Sequence, residues 1–329
     1  MKKLINDPFD VVDEAVEGFV AAYSDIVALH APRVVARRLA ARDKVGIVVG
    51  GGSGHEPAFL GYVGEGLADA AAIGNVFASP SADIVLSSIR AADHGRGVIL
   101  LYGNYAGDVL NFGLAAQLAD AEGIVVRELR VSDDVASAPV DEKAKRRGIA
   151  GDTIVFKCAG AAAEAGSSLD EVLAVAHKAN DATRSVGVAL SACEVPGSGR
   201  LTFELADDEM EIGMGIHGEP GMRRGKIQTA DEVAEALVAA IVADMPAGHG
   251  TDVALLINGL GATSTIDQYV LYRAARHSLE SRGFKVIRSF VGEYVTSLEM
   301  AGASVTVTLL DDDLRRLLDA PSHCARSVP

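Results

Sequence analysis

Tryptophan is absent from this 329-residue chain and aromatic residues make up only 5% of it. It therefore has little with which to stack nucleobases. Positive charge is also short: 30 Lys and Arg stand against 45 Asp and Glu, a formal net charge of −15. Nucleic acid and anionic membranes both demand a basic surface, so neither is expected as a partner. Cysteine is scarce, and Cys158, Cys193 and Cys324 are odd in number and lack metal-type spacing. That argues against a disulfide framework or a metal site and for a reducing, cytoplasmic setting, with Cys158 and Cys193 as small buried residues in strands. No run of 18 or more apolar residues occurs, so no membrane-spanning helix is expected. The start, Met1-Lys-Lys-Leu-Ile-Asn-Asp-Pro8, turns polar after two apolar residues and does not resemble a signal peptide. Gly-Lys-Ser/Thr, His-Arg-Asp and Asp-Phe-Gly are all missing. The chain is thus expected to bind no nucleotide triphosphate of its own.

Apolar residues make up 49% of the chain, and its 35 glycines gather at strand ends rather than in a linker. Residues 45–49, 98–102 and 124–129 are apolar runs of strand length. Residues 81–92 and 108–121 between them carry apolar positions at three- and four-residue spacing, as amphipathic helices require. Apolar strands joined by helices imply a parallel sheet covered on both faces. Residues 133–151 are polar and charged and read as an exposed loop; a helix over 169–182 follows, capped by Ser167 or Ser168. Beyond about 183 the strand-like stretches 186–193, 201–205 and 210–217 are closely spaced, which predicts a mixed sheet. Thr229 and Glu232 have capping-box spacing at the head of a helix over 230–243. Strands over 253–258, 285–290 and 304–309 and helices over 265–282 and 311–319 complete the pattern. Two α/β domains, 1–183 and 184–329, with a substrate cleft between them are expected.

Two histidines stand out. His217 lies in Gly213-Met-Gly-Ile-His217-Gly-Glu-Pro-Gly221, and His55 in Gly50-Gly-Gly-Ser-Gly54-His55-Glu-Pro57, each directly after an apolar run. Glycine leaves both imidazoles with little bulk around them, so a small substrate could approach closely. The first segment matches a dinucleotide fingerprint, but that motif must open a helix and here Pro220 follows, so the match is accidental. The second invites comparison with an anion nest of backbone N–H groups, or with a mere tight turn. Asp108, in Asn104-Tyr-Ala-Gly-Asp108-Val-Leu-Asn-Phe112, follows the strand 98–102, and ligands in parallel α/β sheets bind outside carboxyl ends of strands. Alone it would be a helix cap; beside His55 it becomes a candidate for chemistry. Ser79 could cap the following helix or line the same site. His217 could be a satisfied structural histidine, or a nucleophile adding to the carbonyl carbon of a small ketone. As a metal ligand it lacks companions, since His177 and His249 are distant in sequence.

Gly51-Gly-Ser-Gly-His-Glu-Pro57, the Asn104–Phe112 and Met210–Pro220 segments, and Thr296-Ser-Leu-Glu-Met-Ala-Gly302 together resemble the dihydroxyacetone kinase family, specifically its substrate-binding subunit or domain. The resemblance runs from Lys2-Lys-Leu-Ile-Asn to Asp319-Ala-Pro321. It implies a two-domain α/β homodimer in which His217 holds a short-chain hydroxyketone as a hemiaminal. Asp108 would be the general base on the hydroxyl being phosphorylated, His55 would assist and orient, and Gly52 and Ser79 would line the substrate. ATP or ADP with Mg²⁺ would sit on a separate helical domain or subunit, in some members recharged by a phosphocarrier of the phosphotransferase system. This chain would then be one half of a kinase.

Two departures stand out. Many dihydroxyacetone-specific members carry Lys where this chain has Gly103, and its absence would leave room for a four-carbon ketose such as erythrulose. The tail 322–329 also differs from the family's usual ending. A non-catalytic ketose sensor acting as a co-regulator is the alternative, but such a protein needs capture by His217 and not the companions Asp108 and His55. A phosphocarrier role for His217 fits less well for the same reason.

Overall fold

A computed structural model describes residues 2–39, 43–246, 248 and 250–326; His249 and the last three residues of the tail lie outside the described residues. In chain order come α1 (Val11–Ala22), β1 (Val27–Ala31), β2 (Val34–Arg37), β3 (Gly46–Ser53), β4 (Gly64–Glu65) and β5 (Ala70–Val76). Next are α2 (Ala82–Ala92), β6 (Val98–Gly103), α3 (Ala106–Ala121), β7 (Val126–Val131), α4 (Asp152–Glu164) and α5 (Leu169–Ala182). The rest is β8 (Thr183–Ala189), β9 (Glu209–Ile212), β10 (Arg223–Lys226), α6 (Ala230–Ala243), β11 (Asp252–Gly259) and α7 (Thr265–Ser281). It closes with β12 (Lys285–Gly292), β13 (Gly302–Leu309), α8 (Asp312–Leu318) and β14 (His323–Cys324).

The first sheet has the order β1-β2-β5-β3-β6-β7, with β5, β3, β6 and β7 parallel and β1 and β2 antiparallel at one edge. The second, β10-β9-β8-β13-β11-β12, is mixed: β11 and β12 run parallel and the other pairs antiparallel. The α/β class and the contrast between the two sheets are as the sequence pattern predicts.

Alternating side chains of the apolar strands go to two different cores. Val48, Leu100 and Tyr102 meet Val85, Ile89 and Phe112 of α2 and α3. Val186, Leu255 and Val305 of the second sheet meet Leu237 of α6 and Ala275 of α7. Between the sheets lies a shared layer, in which Ile47, Val49, Ile99 and Leu101 on one side and Ala254 and Leu256 on the other enclose Phe156, Val172 and Leu317 from α4, α5 and α8. All strands of the first sheet precede Thr183 and those of the second begin at or after it, yet the last residues return: α8 lies against α4, and β14 pairs with β4.

Several local expectations need correction. Residues 133–151 are not simply an exposed loop, because Asp133, Asp134 and Arg146 are all within 1% of full burial. The following helix α4 escaped notice because it is buried at every position from Asp152 to Ala163 and has no polar face to create a period. Cys158 belongs to it rather than to a strand, and Cys193 lies in a loop; both are buried. Residues 201–205 form no strand beyond the single bridge Glu194–Leu201. β9 stops at Ile212 because Gly213 turns to φ +84°, so His217 sits on the ten-residue loop joining β9 to β10. The Thr229–Glu232 capping box forms, and Ser168 forms a second with Glu171.

Asp133 explains how a polar segment can be buried. Its carboxylate oxygens accept the N–H groups of Ile149 at 2.9 Å and Gly151 at 2.8 Å, which fixes the turn into α4. Asp133→Ala leaves two buried amides without an acceptor, each worth about 1–3 kcal/mol. Urea unfolding at pH 7 should therefore show a loss of at least about 2 kcal/mol; an unchanged midpoint would mean the carboxylate does not hold this turn.

Candidate active site

Three neighbouring parallel strands deliver their C-terminal ends to one edge of the first sheet. β5 leads into Phe77 and Ser79, β3 into His55, and β6 into Tyr105 and Asp108. The glycine run serves packing. A Cβ on Gly50 would lie 2.5 Å from the Ala72 oxygen, on Gly51 2.5 Å from the Phe59 ring, and on Gly52 2.7 Å from the Ala78 nitrogen. Gly50–Gly52 are part of β3 and pair with β5, so they form no anion nest; Gly54 makes the turn at φ +98°, and its N–H is taken by Glu56 at 2.9 Å.

The structure brings the two histidines together across 162 residues of sequence: their Nε2 atoms are 3.0 Å apart. His55 is buried, its Nδ1 lies 2.7 Å from the Thr296 carbonyl oxygen, and the Phe77 ring stacks on it at 5.0 Å. A carbonyl can only accept, so His55 Nδ1 carries the hydrogen. Burial and the neighbouring His217 charge push its pKa down to about 3, so this ring is neutral at physiological pH. His217 is half-buried, with Tyr105 edge-on at 4.7 Å and Phe77 at 5.3 Å. Its Nδ1 lies 3.0 Å from Glu219 Oε1, and its backbone N–H donates to Glu219 Oε2 at 2.9 Å. Burial raises the Glu219 pKa, but the His217 bond and charge with Arg147 outweigh it and hold the carboxyl at about 2. Gly215 makes this possible, because a Cβ there would lie 2.2 Å from Glu219 Oε2 and collide with Arg147.

One short peptide joins the two histidine loops. Thr296 N–H donates to the His55 oxygen at 3.1 Å, its Oγ1 to the Glu56 oxygen at 2.9 Å, and Leu298 N–H to the Gly54 oxygen at 2.7 Å. Ser297 Oγ between them donates to the Ile216 oxygen at 2.5 Å, on the His217 loop.

Asp108 occupies the first turn of α3 and is buried, with Oδ1 lacking any partner among the described residues. Burial raises its pKa to about 6, against the opposing effects of the Ser79 hydroxyl and the His217 charge. Ser79 therefore stands at the site and does not cap α2, whose N-cap is Ser81. Gly52 and Gly103 line the same strand ends, and the Tyr105 ring packs close to Gly103: a Cβ there would lie 3.0 Å from it. His177 lies on an exposed face of α5, away from this constellation. Among the described residues no group of three or more His, Cys, Asp or Glu could hold a metal, and no helix is long and apolar enough to cross a membrane.

Glu219, Tyr105, Phe77 and the Thr296–Leu298 peptide were not singled out from the sequence as site residues. The Glu-Pro following each histidine was a visible sign for Glu219; the aromatic rings gave none.

Comparison with known proteins places these features in a family. Residues 17–326 match the Dak1 domain model. The chain is 45% identical over 324 residues to a dihydroxyacetone-binding subunit of a PTS-dependent dihydroxyacetone kinase from Listeria innocua, covering 98% of this chain and 97% of that one. It is 49% identical over 325 residues to the L-erythrulose 1-kinase of Mycolicibacterium smegmatis, covering 98% of this chain but 57% of that longer protein. The crystal structure of the C. freundii dihydroxyacetone kinase superposes with a TM-score of 0.90 at 36% identity, over 99% of this chain and 60% of that one.

The raised Asp108 pKa has a stability consequence. Between pH 3.8 and about 6 the folded state keeps a proton that the unfolded state has lost. The carboxyl's contribution is therefore fully present below pH 3.8 and is lost as pH rises through 6. A shift from 3.8 to about 6 corresponds to about 3 kcal/mol. Asp108→Asn should stabilise the protein at pH 7 by up to about that amount, and flatten the pH dependence of unfolding over this window. Destabilisation at pH 7 would show that the carboxylate is paired rather than exposed to a desolvation cost.

Proposed function

The chain belongs to the Dak1 domain family, and from that premise we propose that it is the ketose-binding half of a kinase for short-chain hydroxyketones. The carrying observation is the position of His217: its Nε2 lies beside His55 while Glu219 occupies Nδ1, and the buried carboxyl of Asp108 shares the site. His217 Nε2 adds to the ketone carbon and holds it as a hemiaminal. Asp108, with a pKa of about 6, is ionised at neutral pH and accepts the proton of the terminal hydroxyl as the phosphoryl group arrives. His55 stays neutral and assists that alignment, while Gly52, Ser79 and Gly103 bound the space beside the substrate.

Covalent capture suits the ligand. A triose ketone has about six heavy atoms, so its non-covalent affinity is limited. A C–N bond fixes the ketone, rejects glycerol, and presents one hydroxyl to the incoming phosphoryl group. Transfer is then mainly positioning and charge stabilisation. The donor in this proposal is a nucleotide with Mg²⁺ on a helical partner subunit or domain, recharged from ATP or by a phosphocarrier, and the chain works in the cytoplasm as a homodimer. Both dihydroxyacetone and erythrulose are candidate substrates, in keeping with the names of the similar proteins. A glycine at position 103 places no long side chain beside the ketone, which leaves the larger ketose open. The buried Asp108 carboxyl favours catalysis over ketose sensing, since capture alone does not need it.

Native mass spectrometry with dihydroxyacetone or erythrulose should show an adduct that His217→Ala abolishes. Asp108→Asn should keep the adduct yet lose turnover by about 10²–10⁴-fold, the usual range for a general base. An adduct surviving on His217→Ala would exclude this histidine as the nucleophile. In a separate assay, the chain with ketose, Mg²⁺ and ATP should form no phosphate ester until a helical nucleotide-binding subunit is supplied. Turnover by the chain alone would refute the division into halves.

A further inference from the structure

The charged segment 133–151 sends one side chain towards the site from outside it. Arg147 belongs to the first half of the chain, yet its guanidinium reaches the loop that carries His217. Its root is fixed first. The Arg147 N–H donates to Ser137 Oγ at 3.0 Å, and its carbonyl oxygen accepts the Asp134 N–H at 3.1 Å. The side chain then meets the Asp134 carboxylate, which is only 1% exposed: Nε donates to it at 2.9 Å and Nη2 lies 2.8 Å away. The other Asp134 oxygen accepts the Ala136 N–H at 3.0 Å, so the anchor is itself held.

Two arms reach on to the His217 loop. Nη2 donates to the Gly213 oxygen at 3.2 Å, just past the end of β9. Nη1 stands 3.7 Å from Glu219 Oε2, the same oxygen that accepts the His217 backbone N–H at 2.9 Å. Gly215 leaves the space for this approach, since a Cβ there would lie 2.4 Å from Nη1. Ser297 fastens the same loop at Ile216 from the second half of the chain. We propose that Arg147 is a positioning residue for His217: its fork spans Asp134 and the His217 loop, and so holds Glu219 where it fixes the imidazole. For the use made of that imidazole, the inference rests on the ketose-binding reading.

The place suits a guanidinium in particular. Its donors point in fixed directions from one plane, so it can engage a carboxylate on one edge and further acceptors on another. A lysine ammonium is a single point charge on a flexible stem and can serve only one of these places at a time. At 3.7 Å, Nη1 and Glu219 form an ion pair without a hydrogen bond, so attraction of charge rather than bond direction draws the carboxylate to Arg147. Burial disfavours the Glu219 charge, and Arg147 joins the His217 bond in overcoming it. Arg147 acts through Glu219 alone, because Glu219 occupies the Nδ1 side of His217.

The test is backbone amide exchange, followed by NMR on the full ligand-free chain. In Arg147→Lys a cation remains beside Asp134 and the second arm is lost. The His217 amide should then exchange about 10–100-fold faster, the range for loosening a hydrogen bond to a charged group. The amides of Ile149 and Gly151, which Asp133 holds further along the same segment, should keep their wild-type rates. Native mass spectrometry should show the ketose concentration for half-maximal adduct rising by up to about 10²-fold, the cost of misplacing a reacting group. A wild-type exchange rate at His217 would overturn the positioning role. Equal acceleration at His217, Ile149 and Gly151 would also overturn it, by marking Arg147 as a support of its own segment. So would faster exchange at His217 with an unchanged adduct affinity. Arg147→Gln should match or exceed the lysine variant; if it fails to fold, the lysine variant decides alone. The exchange arm contains no ketose, so a wild-type chain that forms no adduct counts against ketose binding and not against this tether.

Discussion

The hydrogen bonds of the Thr296–Leu298 peptide govern the geometry of the whole site. Thr296 and Leu298 fasten the His55 loop while Ser297 fastens the His217 loop, so one stretch of backbone sets the 3.0 Å approach of the two imidazoles. Gly261 shows how tightly this peptide is held: a Cβ there would lie 1.8 Å from the Leu298 oxygen. The histidines come from different sheets, and no local propensity of either loop could have arranged their meeting. Backbone bonds do it because each joins groups that would otherwise be buried without a partner.

Function here costs stability in identifiable places. Asp108 is buried with an oxygen that has no partner among the described residues, and burial raises its pKa accordingly. Glu219 is the opposite case, a carboxylate whose charge is stabilised by His217 and Arg147 strongly enough to outweigh burial. The site thus keeps two carboxyl groups in different states of readiness, one able to exchange a proton near neutrality and one a fixed negative charge. Phe77 and Tyr105 flank the His217 ring without adding groups that titrate near neutrality.

Much of this was legible in the sequence. Apolar strands alternating with amphipathic helices gave the first sheet, and Thr229 with Glu232 gave a helix start that forms as expected. His55, Asp108 and His217 were visible as odd polar residues in glycine-rich surroundings at strand ends, and the structure gathers them. Two kinds of feature stayed hidden. The helix α4 is buried on every side from Asp152 to Ala163, and that burial erased the period that would have announced it. The partnership of Thr296 with His55 spans 241 residues, a contact made by tertiary folding with no local pattern to signal it. What stands beside Gly103 was hidden for a related reason: the neighbour of a missing side chain is set by tertiary folding, and here it is the Tyr105 ring.

The apolar layer between the sheets limits how this molecule can move. Two sheets flanking a ligand site suggest a clamshell, in which each half swings about a linker to admit the substrate. Here α4, α5 and α8 are wedged between the sheets and touch side chains of both within one continuous cluster. Swinging the halves apart would expose that cluster to water at about 25 cal/mol for each Å² uncovered, a cost that grows with every degree of opening. Such interiors resist continuous deformation. The parts of the site outside that cluster are its loops, among them the ten-residue loop that carries His217. The two sheets are thereby tied into one frame, and a change of shape at the site falls to the loops at its edge.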